Sequence, residues 1–121
     1  MVVDATRQEQ ARAILERRAR RLASSMLGRR ATTGADFRQA FTLERIDLVA
    51  EISDHETLMA VGRNRVGPRD GLYVINEGAT YNVYIQEHGV PVSGGRDLEF
   101  EEARELTADL AIKMNGIPFS L

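Results

Sequence analysis

The sequence predicts an α+β fold, with a long N-terminal helix and a C-terminal helix packed on an antiparallel sheet of three to five strands built around a central hairpin. Three observations predict it. Two β-rich runs, Leu72 to Ile75 and Thr80 to Gln86, flank Asn76-Glu77-Gly78-Ala79, where glycine permits the positive φ of a tight hairpin turn. Apolar residues recur at helical spacing from Ala11 to Leu27, and again from Ala103 to Met114. At 121 residues, 43% of them hydrophobic, the chain is long enough for one core and too short for two ordinary domains, so a single domain over 1–121 is expected.

Thr6-Arg-Gln-Glu9 matches a capping box, in which the threonine oxygen and the glutamate each satisfy an orphaned N–H at a helix start. One amphipathic helix is expected over 7–27, ended by Gly28 in a left-handed conformation and supported on its solvent side by Glu16 and Arg20 at i, i+4. Residues 29–34 are expected to form a loop, after which Asp36 caps a helical patch of Phe37, Ala40 and Phe41. Residues 43–52 fit two patterns. Ile46, Leu48, Ala50 and Ile52 alternate with Asp47 and Glu51 as in a half-buried strand, which is the favoured reading, whereas Phe37, Phe41, Leu48 and Ile52 also fit one longer helix. Ser53-Asp-His-Glu56 is a second capping-box match, starting a short helix Glu56–Val61 that ends at Gly62, although Thr57–Val61 equally fits a strand. Pro68 and the surrounding glycines make 63–71 a loop.

In the hairpin, pairing Ile75 with Thr80 sets Leu72 opposite Val83 and Val74 opposite Tyr81. Those four share an apolar face; Tyr73, Ile75, Thr80, Asn82 and Tyr84 line a mixed one, and a one-residue slip would scramble both. His88-Gly89 is expected to turn the chain, Val90–Gly95 to form a flexible connection, and Arg96–Phe100 to add a short edge strand. Glu101 and Glu102 suit the positive dipole at the start of a last helix, whose one face carries Ala103, Leu106, Leu110 and Met114. Lys113 and Asn115-Gly116 mark its end, and the apolar Ile117-Pro-Phe-Ser-Leu121 is expected to dock on the body or on a partner.

With no cysteine, the chain has no disulfide framework and no thiolate metal site, which fits a reducing cytoplasm. No apolar run approaches the roughly 20 residues of a membrane span, and Met1-Val-Val-Asp lacks a signal-peptide core, so a soluble cytoplasmic protein is expected. The net charge is −2, unevenly placed: residues 1–30 hold eight arginines against three carboxylates, +5, and residues 97–109 hold six carboxylates against one arginine, −5. Two helices that neutralise each other across the fold are the favoured account of this asymmetry, ahead of two binding surfaces of opposite sign.

Fifteen arginines stand against a single lysine, and guanidinium groups grip phosphate and carboxylate bidentately. A nucleic-acid-binding regulator using the Arg-rich first helix is therefore an alternative function, although the helix lacks base-reading residues and helix-turn-helix spacing. Arg63, Arg65 and Arg69 form a local basic cluster able to meet an anion. His55, Glu56, Glu87 and His88 have ligand chemistry but no metal-site spacing, so no metal is expected. No serine stands in a nucleophile elbow, Gly94-Gly95 is not a phosphate loop, and the tail glutamates are explained by dipole and solubility. No catalytic residue and no cofactor are expected.

Tyr81-Asn-Val-Tyr84-Ile-Gln-Glu87-His-Gly89, followed by a loop and by Leu98-Glu-Phe100-Glu-Glu-Ala103 opening a helix, resembles small immunity proteins of bacterial toxin/immunity systems. The resemblance covers about residues 71–114. His88 stands where an arginine before glycine is more usual, and the basic first helix has no counterpart in the resemblance. It implies a non-enzymatic binding protein that inhibits a toxin domain stoichiometrically by occluding its active site. Partner-binding candidates are then Tyr84 and Gln86 on the mixed hairpin face, with Glu99, Glu102 and Glu105, whose clustered acid mimics the phosphates a nuclease toxin binds.

Overall fold

The computed structural model describes residues 3–115 and has an α+β architecture. Six helices, α1 (Arg7–Leu15), α2 (Ala19–Leu27), α3 (Gly34–Ala40), α4 (Arg45–Glu51), α5 (His55–Val61) and α6 (Phe100–Lys113), accompany three strands, β1 (Gly71–Glu77), β2 (Thr80–Glu87) and β3 (Val90–Leu98). The strands form one antiparallel sheet in the order β1-β2-β3. Contacts gather into two compact units, Met1–Glu51 with Ala111–Leu121, and Ile52–Leu110.

In the first unit the Thr6 capping box forms as expected, but the long helix does not. Arg17 takes φ 59, and the segment divides into α1 and α2. Periodicity explains the break. α1 buries Gln10, Ala11, Ala13 and Ile14, and α2 buries Ala19 and Ala23. On an unbroken helix, turning roughly 100° per residue, the second set would face away from the first. Breaking the chain at 16–18 lets both sets reach the interior. The orphaned groups at the break are satisfied by one distant side chain: Asn115 Oδ1 accepts from Ala19 N–H, and its Nδ2 donates to the carbonyls of Ile14 and Ala111. Glu16 pairs with Arg18 at 2.6 Å instead of with Arg20. Gly28 closes α2 with φ 71.

Residues 45–51 form a helix and not the favoured strand, and they do not continue α3. Leu48 and Ile52, four apart, point inward while Ile46 is 70% exposed, the opposite of what strand alternation requires. The helix start is held by Asp47, which accepts from Glu44 N–H, and α4 is tied to α1 by Arg7–Asp47 and Arg12–Glu51. Asp36 is not the cap of α3. Thr33 is, and Asp36 sits three residues on as the reciprocal member of the box.

In the second unit α5 begins with Asp54 capping Thr57 and ends at Gly62. The hairpin keeps the expected faces but in a different register: Leu72 pairs with Ile85, Tyr73 with Tyr84, Val74 with Val83 and Glu77 with Thr80. The loop is thus Gly78-Ala79 alone, with Gly78 at φ 63. His88 and Gly89, at φ 52 and 77, turn the chain directly into β3. The segment Val90–Gly95 is therefore strand and not a flexible connection. α6 runs almost where expected; Met1, Val2, Gly116 and the apolar Ile117–Leu121 lie outside the described residues. No helix among the described residues is long and apolar enough to cross a membrane.

Three aspartates are held below the ordinary carboxylate range. For Asp36 the leading cause is the hydrogen bond from the Arg29 guanidinium at 2.9 Å, helped by the N–H groups of Thr32 and Thr33. Asp54 accepts from the N–H and hydroxyl of Thr57, and Asp70 from the N–H groups of Gly89 and His88. Each binds its proton more weakly folded than unfolded. Their stabilisation is therefore complete above the ordinary aspartate value of 3.8 and is lost as the pH falls through it toward the folded value. Urea midpoints are expected to fall steadily from about pH 5 to about pH 2, and Asp36→Asn to flatten that slope. An unchanged slope in the variant would assign acid sensitivity to other carboxylates.

Candidate functional site

The hairpin candidates and the arginine cluster all belong to the unit Ile52–Leu110. Its sheet has one covered face. From α5, Gly62 packs against Val74 and His55 Nδ1 lies 2.7 Å from the Tyr81 hydroxyl; from α6, Phe100 meets Tyr81 edge to face at 6.3 Å. Leu106 of α6 packs on Gly95, which pairs with Val83 of the same face. The covered face is thus the apolar one.

The other face lines a groove of about 920 Å³. Ile75, Asn82 and Tyr84 form its floor, because alternate residues of a strand share a face, and Val66 and Val92 border it at 77% and 55% exposure. Tyr84 does not lie beneath α6. Its ring stacks on Tyr73 directly across the β1–β2 ladder, with centroids 5.0 Å apart and planes 6° from parallel. Burial first, and then the Tyr73 hydroxyl, push the Tyr84 phenol above its ordinary value, so it stays a neutral hydrogen-bond donor at neutral pH.

Gln86 shares this face but is not presented at its surface. It is buried, and its Nε2 donates to the carbonyls of Gly67 and Arg69 at 2.9 and 3.0 Å. The buried Tyr73 hydroxyl donates to the same two carbonyls. These two side chains clamp the loop on either side of Pro68. The loop's start is held by a two-way backbone bridge between Arg63 and β1, and by Asn64 Nδ2, which donates to the carbonyls of Met59, Gly62 and Val74.

Arg63, Arg65 and Arg69 line one shallow hollow beside Tyr73. All three are exposed, and among the described residues no carboxylate pairs with any of them. Glu99, Glu102 and Glu105 are exposed around the first turns of α6, where Glu102 accepts from Glu99 N–H at 3.1 Å. None of the three lines the Tyr84 groove; the acids that do are Glu77 and Asp97. Neither a protein-family model nor a curated protein nor a solved structure matches this chain.

In the first unit, four arginines of the basic N-terminal segment are engaged: Arg7 with Asp47, Arg12 with Glu51, Arg18 with Glu16 and Arg29 with Asp36. Of the histidines, His55 meets Tyr81 and His88 sits in the β2–β3 turn; among the described residues no group of three or more His, Asp or Glu side chains is arranged to hold a metal ion. The side chains that sequence reading missed are of two kinds. Tyr73 and Glu77 carry a readable signal, since they continue the period-two pattern of the Tyr84 face. Val66, Val92 and Asp97 carry none, because they enter the groove only through the loop clamp and through β3.

Proposed function

We propose that this chain is a non-enzymatic binding protein of the immunity type, acting in the cytoplasm, which neutralises a bacterial toxin domain by seating on it and occluding its active site. The observation that carries this reading is the sheet face that no helix of its own unit covers among the described residues, where a stacked tyrosine floor bordered by exposed valines offers the rigid aromatic and apolar centre that protein interfaces use. Charge supports a cationic partner. Residues 52–110 hold eleven carboxylates and five arginines, 5 − 11 = −6, and a toxin cleft built to bind phosphates is positive. The resemblance of residues 71–114 to immunity proteins points the same way.

Coexpression with the product of the neighbouring reading frame tests it. A stable complex that protects cells from that product is expected, with Tyr84→Ala weakening the complex by at least about tenfold. Survival no better than without this chain, together with turnover of a small substrate by the purified protein, would sink the proposal.

A further inference from the structure

We propose that the loop Arg63–Asp70 is a preorganised site for a compact phosphate group, inorganic phosphate or the phosphate of a small ester, held by Arg63, Arg65 and Arg69. Three features of the loop lead there. Arg63, Arg65 and Arg69 line one hollow, are exposed, and find no carboxylate among the described residues. In the first unit Arg7, Arg12, Arg18 and Arg29 have carboxylate partners, whereas Arg20, Arg21, Arg30 and Arg38 are exposed without one among the described residues but do not share a hollow with other arginines of a clamped loop.

The second feature is the holding of the backbone. Two buried side chains, Tyr73 and Gln86, spend their donors on the same pair of loop carbonyls, Gly67 and Arg69, and Asn64 ties the loop to α5 and β1. Asp70 fixes the far end by accepting from His88 and Gly89 N–H. The loop carbonyls of Gly67 and Arg69 are thereby turned toward the sheet and neutralised by donors, away from an incoming anion. A loop ordered before binding loses little entropy on binding, and guanidiniums match phosphate oxygens bidentately.

The third is the size of the positive region. Residues 52–110 carry −6 overall, so these three charges form a small positive patch within an acidic unit. At a Debye length of roughly 8–10 Å a compact anion feels mainly the loop, three arginines against Asp70, whereas an extended polyanion also runs along the rest of an acidic unit. That favours a single phosphate group over a nucleic-acid strand.

Titrating the full chain with inorganic phosphate in about 0.1 M chloride, followed by amide NMR shifts, tests the site. Saturable shifts confined to residues around the loop and Tyr73 are expected. Binding should be at least about tenfold weaker in the Arg63→Gln/Arg65→Gln/Arg69→Gln variant and unchanged in Arg38→Gln, which removes an exposed arginine of α3. Tyr73→Phe, which keeps every charge and loosens the clamp, should weaken binding severalfold. A small phosphate ester that binds more tightly than free phosphate identifies the ester as the ligand, and the reverse identifies the ion. No saturation, or equal binding by the triple variant, would overturn the proposal. So would affinity that climbs with the length of a single-stranded oligonucleotide, because the ligand would then be a linear polyanion.

Discussion

Gln10→Ala is expected to cost about 3 kcal/mol of stability, more than any exposed substitution on α1, because one buried amide organises the whole α3–α4 connection. Gln10 is fully buried. Its Oε1 accepts from the N–H groups of Thr42 and Leu43 at 2.8 and 3.0 Å, and its Nε2 donates to the Ala5 carbonyl at 3.0 Å and the Thr42 hydroxyl at 3.2 Å. Alanine leaves two backbone donors and one backbone acceptor without those partners, in a part of the chain whose neighbour Leu43 is itself buried. A buried polar group left unsatisfied costs about 1–3 kcal/mol, so two or three of them account for the expected loss. Urea unfolding and hydrogen exchange at the Thr42 and Leu43 amides measure it. When protonated, Gln10→Glu keeps the carbonyl acceptor and has one O–H donor in place of the two amide N–H donors, so it should then fall between wild type and alanine. A loss below about 1 kcal/mol in Gln10→Ala would mean that water takes over these hydrogen bonds.

Gly94→Ala is the second large effect, with an expected loss of about 3 kcal/mol or more. Gly94 pairs with Tyr84 at φ 154, and a Cβ there would lie 2.6 Å from Tyr84 Cα and against the Val83 carbonyl, both of them backbone that cannot rotate away. The strands would have to separate where the groove floor lies. Loss of Tyr84 ring order in near-UV circular dichroism should accompany the fall in urea midpoint. Gly89→Ala serves as the comparison: it strains a positive φ of 77 but meets no atom within 4 Å, so it should cost less than Gly94→Ala. Equal losses would show that conformation, not the close approach, sets the requirement at position 94.

Local signals served the fold well where one short stretch contains its own partner. The Thr6 box, Gly28 after α2, Gly62 after α5 and the Glu101–Lys113 charge order all match observed helix ends, because caps and dipoles act within a turn or two. The hairpin shows where such reading stops. Its faces are right and its register is displaced, since pairings that differ by two residues keep every side chain on the same face; the two-residue turn at Gly78-Ala79 decides between them. For the candidate surfaces, residue type located Tyr84 and the three arginines, while burial reassigned Gln86 from a presented side chain to a clamp.

What the sequence by itself determined was the α+β class, the Thr6 cap and the glycines that close α2 and α5, the two faces of the hairpin and the arginine loop, all of which follow from spacing and turn chemistry within a few residues. Tertiary structure alone decided the rest. The helix break at Arg17 depends on Asn115, nearly a hundred residues on, supplying the hydrogen bonds that the broken turn lacks. Residues 45–51 turn helical because Gln10 holds the preceding Thr42 and Leu43 amides, and Arg7 and Arg12 hold the Asp47 and Glu51 carboxylates, from α1. β3, whose middle Ser93-Gly-Gly-Arg-Asp97 has little strand preference of its own, becomes a strand because a tight turn lays it on β2, whose unpaired backbone groups need partners. In the first two cases the deciding interaction joins residues far apart in sequence, and no local pattern encodes it.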